Sequence, residues 1–187
     1  MSNIKYLESV KKQFLYYKIL GEKTFSQLSD EQLFIQVNSE SNSIAIIVKH
    51  LWGNMLSRWT DFLTSDGEKE WRKRETEFEN DISSRRELLQ RWEEGWSCLF
   101  MSLDSISDDD LSKVIYIRNQ GHTILEAINR QLSHYPSHVG QIIFLGKMLC
   151  DKNWSSISIA KGSSDEYNKE KFSKPKSKEH FTDEILK

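Results

Sequence analysis

The stretch LSHYPSHVGQIIFLG, residues 132–146, sets two histidines four positions apart, with a proline between them, in a strongly apolar run. Extended in both directions, it shows Leu125, Ile128, Leu132, Tyr135, Val139, Ile142 and Ile143 recurring every three or four residues. That is the period of a helix with one buried face. The spacing predicts one long helix from about His122 to Leu149. Pro136 has no N–H to give, so a kink is expected beside the histidines.

Three more segments carry the same period. Ile4, Leu7, Val10, Phe14 and Tyr17 predict a helix over Asn3–Leu20, with Gly21 as a stop. Ile44, Ile47, Val48, Leu51, Met55, Trp59 and Phe62 predict a second, N-capped by Asn42 or Ser43 and running to about Phe62. Leu88, Trp92, Trp96, Leu99 and Leu103 give a third over Ser84–Leu103. Four amphipathic helices in 187 residues make an all-α four-helix bundle the economical architecture.

The connections are long. Leu33–Val37 reads either as a short extended segment or as part of a turn. The glycine and mixed charges of residues 65–83 predict a surface loop long enough to have a function of its own. The run SDDD, residues 107–110, ends one element in a polar turn, and KVIYIRN, residues 113–119, is a candidate short strand. The bundle is expected over residues 1–160. Residues 161–187 read as a polar, charged tail, part of which Phe172, Phe181, Ile185 and Leu186 could dock.

Composition excludes several classes of function. A formal net charge of −2 and a pI near 6.2 give no electrostatic footprint for nucleic acid. No apolar run approaches the roughly 20 residues needed to span a bilayer, and the start, MSNIKYLESVKKQ, does not read as a signal peptide. Cys98 and Cys150 fit no zinc-knuckle or redox spacing and are expected as buried free thiols. A cytoplasmic location follows as the expectation.

The histidines carry what chemistry the sequence offers. On a helix, His134 and His138 point in one direction, in a row with Ala127, Gln131 and Gln141 that flanks the apolar stripe. Such a pair is either half of a metal site or two polar residues that share a face. His50 lies on the second helix beside its buried stripe, in a row with Ile46, Ile47 and Asn54. Three of five histidines thus flank the interior of two bundle helices, where unpaired polar groups are costly. Three protein ligands would leave a fourth position open for water or substrate.

Together, SNSIAIIVKHLWGNMLSRW (residues 41–59) and AINRQLSHYPSHVGQIIFLGK (residues 127–147) resemble the DinB-like (DinB/YfiT) superfamily of bacterial four-helix bundle proteins. Within it, the chain looks like an uncharacterised branch. The resemblance also takes in EKEWRKRETEF, ELLQRWEEGW and NWSSISIAKGSSDEYN, and spans about residues 3–168. It implies a divalent metal held by His50, His134 and His138. It also implies chemistry with a low-molecular-weight thiol such as bacillithiol: a thiol-S-transferase acting on a small-molecule electrophile. The alternatives are a metal-holding interaction bundle without turnover and a bundle whose histidines hold no metal. Zinc, nickel, iron and manganese all suit imidazole. A homodimer is common among similar proteins.

Other residues were weighed against these three. His122 is expected to cap the fourth helix or lie on the surface, and His180 to be solvated in the tail. Asn54 and Gln141 stand one turn from a proposed ligand and are expected either to orient an imidazole or to bond between helices. Arg72 and Arg74 are expected in a solvated loop, the alternative being contact with the carboxylates of a thiol cofactor. Trp71 is the one tryptophan placed in that loop.

Overall fold

In the computed structural model, which describes residues 5–186, four long helices form the bundle: α1 Tyr6–Phe25, α2 Ile44–Trp59, α3 Arg85–Asp104 and α4 Ile124–Cys150. The hairpin β1 Val114–Ile117 and β2 Gln120–Thr123 leads into α4, and two short helices, α5 Ser164–Phe172 and α6 Asp183–Leu186, follow it. The expected helix start at Asn3, with Ile4, lies outside the described residues, as does Lys187 at the end of the expected tail.

The apolar stripes meet in one core. α2 packs most extensively on α3, and α1 on α4, while contacts of α2 with α4 and of α1 with α3 close the bundle. Val10, Phe14, Leu51, Leu88, Trp96, Leu99, Ile128, Tyr135 and Val139 are buried there. Trp96 is the hub, with ring centroids 5.4 Å from Trp92, 5.9 Å from Tyr135 and 6.3 Å from Phe14. Tilted aromatic pairs of this kind contribute roughly 0.5–1.5 kcal/mol each beyond their buried area.

Local chemistry sets the helix ends. Ser43 Oγ accepts the Ile46 N–H at 3.2 Å and Ser84 Oγ the Glu87 N–H at 3.2 Å, each capping an otherwise orphaned donor. Thr123 and Glu126 form a reciprocal capping box at the start of α4. That cap places the helix start two residues after His122, which belongs to β2 instead. Of KVIYIRN, Val114–Ile117 forms the strand, and Arg118 and Asn119 instead close the hairpin with φ of 56° and 58°, the pattern of a type I′ turn. α4 runs uninterrupted through Pro136, which leaves the Leu132 carbonyl without its helical donor.

Two helix ends differ from expectation. α1 continues through Gly21 to Phe25, because Gly21 serves packing: a Cβ there would lie 2.5 Å from Cζ2 of Trp92. α2 ends at Trp59 rather than Phe62, where Thr60 turns extended and Asp61 takes φ 48°. The connector Leu33–Val37 divides: Leu33, buried, and Phe34 belong to a 3-10 turn over Glu31–Phe34, and Ile35 turns extended.

The charged loop is not a solvated excursion. Lys49 on α2 reaches the carbonyls of Thr76 and Glu79 and the carboxylate of Asp81, while Ser57 and Arg58 both donate to the Gly67 carbonyl. A 3-10 turn over Arg74–Phe78 buries Glu77, and Arg72 is buried with it. The tail docks too. Lys12 pairs with Asp183 at 2.9 Å, and Thr182 is fully buried. His180 lies 3.0 Å from Ser9 Oγ, half-buried rather than solvated as expected. Ile185 packs against the core, whereas Phe181, in edge contact with the Tyr16 ring at 6.0 Å, and Phe172 both stay exposed.

Cys98 and Cys150 are free, half-buried and buried respectively, and burial raises both thiols above their ordinary range. No described helix is long and apolar enough to cross a membrane.

Candidate functional site

The packing of α2 on α4 brings His50, His134 and His138 together, with one ligand-capable atom from each within 4.8 Å of the others. His134 Nε2 lies 3.4 Å from His50 Nε2 and 3.1 Å from His138 Nε2. The opposite nitrogens each meet an acceptor. His50 Nδ1 is 2.9 Å from Glu77 Oε2, His134 Nδ1 is 3.1 Å from Gln131 Oε1, and His138 Nδ1 is 3.0 Å from Gln141 Oε1. A carboxylate or amide oxygen can only accept, so each imidazole donates through Nδ1 and keeps its lone pair on Nε2. In the neutral imidazoles the lone pair of His134 Nε2 then faces those of His50 and His138 across 3.4 and 3.1 Å, with no proton between them.

Lone pairs so placed repel unless an electrophile lies among them. Two nitrogens each about 2.0–2.1 Å from one tetrahedral ion stand about 3.3–3.4 Å apart. The observed separations fit that figure within a few tenths of an ångström. The donor set therefore fits a divalent ion, with Nε2 of His50, His134 and His138 as its protein ligands.

Electrostatics favour the neutral form of His134 and His138. Burial, then the neighbouring His138 and His50, and then Arg58 and Arg130, pull His134 down to about 3. Burial also lowers His138, against the opposing hydrogen bond it donates to Gln141. Burial alone would raise Glu77, but hydrogen bonds from His50 and Arg72, with the Arg72 charge, hold it below the usual carboxylate range. Glu77 is thus an anion bound on two sides, accepting from Arg72 Nε at 2.7 Å and Nη2 at 3.0 Å while it orients His50.

The seat of Glu77 is cut into α2. A Cβ on Gly53 would lie 2.4 Å from Glu77 Oε1, so only glycine lets the carboxylate approach the helix. Phe78, the next residue, stacks on the His50 ring at 5.4 Å between centroids and 23° between planes. The three imidazoles open on a cavity of about 460 Å³ that Asn54, Phe78 and several arginines also line. A larger apolar groove of about 770 Å³, beside Leu56, Leu63 and Met101, contains no comparable cluster.

Other expected residues divide. Gln141 orients His138, whereas Asn54 accepts a hydrogen bond from Tyr135 OH at 3.2 Å and so bonds between helices. Arg72 is 9% exposed and paired with Glu77, not solvated. Arg74 lies over the Phe78 ring at 5.2 Å. Trp71 is more than half exposed. His122, on β2, is outside the cluster.

Glu77, Phe78 and Gly53 were missed. Gly53 left a signal: a glycine inside a helix weakens it unless something approaches closely, and this one falls on the turn after His50. Nothing local distinguishes Glu77 from its charged neighbours.

Fold and site define a helical bundle with a histidine triad set in its wall. The chain belongs to the family described as "Protein of unknown function (DUF1572)", which matches residues 2–163. No curated protein and no solved structure matches it.

Proposed function

We propose that this chain is a divalent-metal-dependent enzyme of DinB-like type, a thiol-S-transferase acting on small electrophiles, with His50, His134 and His138 as the metal ligands. One observation carries the reading: three Nε2 lone pairs converge while all three Nδ1 atoms are engaged elsewhere.

Bound there, a divalent ion would hold a low-molecular-weight thiol as its thiolate at neutral pH and so supply a strong nucleophile. The protein does the rest. Glu77, Gln131 and Gln141 fix the tautomer and rotation of the three rings, which strengthens each as a donor. Phe78 covers one face of His50. With no fourth His, Cys, Asp or Glu in the cluster among the described residues, an ion held by the three histidines would remain open to a thiol or water from the cavity.

The test is metal analysis by mass spectrometry on untagged protein, beside a His134→Ala/His138→Ala double variant. Near-stoichiometric metal that vanishes in the variant is the expected result, followed by thiol-transfer assays with the loaded protein. A wild type that takes up no zinc, nickel, iron(II) or manganese under reducing conditions would end the proposal.

A further inference from the structure

Five arginines line the cavity beside the triad: Arg58, Arg72, Arg74, Arg118 and Arg130; none of its lining residues is acidic. They come from four places. Arg58 continues the α2 row of His50 and Asn54, and Arg130 stands one turn before His134 on α4. Arg72, Arg74 and Arg118 come from the charged loop and the hairpin turn. Arg130 is about 6 Å along the helix axis from His134, at 1.5 Å of rise per residue.

Three of the five meet a carboxylate from behind, Arg118 through Nε and Nη2 only. Glu68 Oε2 takes Arg58 at 3.0 Å, with Arg118 at 3.2 Å and Arg72 at 3.5 Å sharing the same oxygen. Glu77 takes Nε and Nη2 of Arg72, and Arg72 Nη1 remains buried without a hydrogen-bond acceptor. The other guanidinium groups have donors to spare. Arg130 makes no ion pair or hydrogen bond among the described residues. Arg74 lies over the Phe78 ring, and among the described residues its one ion pair is with Glu75, at 3.4 Å, whose side chain is 91% exposed.

A guanidinium is a planar fork matched to carboxylate and phosphate, and its attraction grows where water is displaced. We infer that the cavity binds a small-molecule anion, gripping a carboxylate or phosphate group with Arg74, Arg118 and Arg130 while the rest of the ligand reaches toward the histidines. Arg58 and Arg72, both buried, hold the loop that presents Arg74 and add positive potential from below. The inference deepens the proposed function by naming the charge class of what the site takes, and rests on it only for what happens at the triad.

The test is calorimetric titration at low salt. Metal-free protein is titrated with inorganic phosphate and, separately, with succinate; zinc-treated protein is titrated with succinate. An Arg74→Gln/Arg130→Gln variant, altered only at solvent-accessible side chains, is run beside the wild type, with thermal unfolding as the check on folding. Saturable binding to the wild type, weakened at least tenfold in the variant with zinc uptake unchanged, is the expected result. Preference for phosphate assigns a phosphoryl ligand, and preference for succinate a carboxylate. Anion binding in a protein that takes up no zinc would leave the inference standing while ending the metal proposal. No binding of either anion, or binding equal in wild type and variant, would overturn it, the latter by placing the anion away from the arginines.

Discussion

Glu77 binds His50 and Arg72 at once: its Oε2 lies 2.9 Å from the imidazole Nδ1 and 3.0 Å from the guanidinium Nη2. Replacing it by glutamine keeps its shape but removes the charge that Arg72 faces and weakens the preference for a proton on His50 Nδ1. Loss of such an orienting partner lowers metal affinity by about 10–100-fold. Zinc affinity of Glu77→Gln, measured by competition with a chromophoric chelator, checks this. An affinity equal to that of wild type would remove Glu77 from the site.

Gly53→Ala sets two effects against each other. Alanine gains about 0.5–1 kcal/mol in a helix interior. Its methyl group would overlap Glu77 Oε1, and displacing that carboxylate breaks a buried ion pair, a loss of about 3–5 kcal/mol. The second wins, so the variant should be less stable in urea and bind zinc more weakly. A stabilised Gly53→Ala protein would mean that Glu77 moves away at little cost.

Tyr135→Phe tests the polar thread beneath the triad. The phenol accepts from Trp59 Nε1 at 3.0 Å and donates to Asn54 Oδ1 at 3.2 Å, all buried. Removing it orphans a donor and an acceptor, at roughly 1–3 kcal/mol for each group left unsatisfied. Urea midpoints should fall while the m-value stays constant. An unchanged midpoint would mean that water or a shifted Asn54 replaces the phenol.

Asp110 bears on acid stability. The Lys113 side chain and the backbone and hydroxyl of Ser107 lower its carboxyl from the ordinary 3.8 to about 2. A group lowered on folding stabilises the native state above its unfolded value and loses that contribution as pH falls through the folded one. The Asp110 contribution is therefore full above about pH 4 and gone near pH 2. Thermal midpoints of wild type and Asp110→Asn should differ at pH 6 and converge toward pH 2. A constant gap across that range would contradict the assignment.

What the sequence reveals divides along physical lines. Burial of one face imposes a helical period, so Leu51, Trp96 and Val139 could be placed in the core before any coordinates. Serine caps are local chemistry, and Ser43 and Ser84 stand where the patterns begin. His50, His134 and His138 were found because polar residues beside apolar stripes are conspicuous. Gly21 was misread because a helix stop and a packing notch look alike in one dimension. His122 fell on a strand because Thr123 and Glu126 cap the helix after it. Glu77 was invisible for a different reason: its burial depends on Gly53, Arg72 and His50 meeting in space. The same holds for His180, half-buried by a docking that its own neighbourhood does not encode.

His50 and His134 are 84 positions apart in the chain and are joined by packing of α2 on α4 alone. Closing so long a segment is entropically slow, and no partial fold with α2 and α4 apart contains the triad. A ligand for these nitrogens would accordingly find the complete triad only once α2 has packed on α4. Its uptake during refolding would serve as a clock for completion of the fold, lagging the early rise of helical signal.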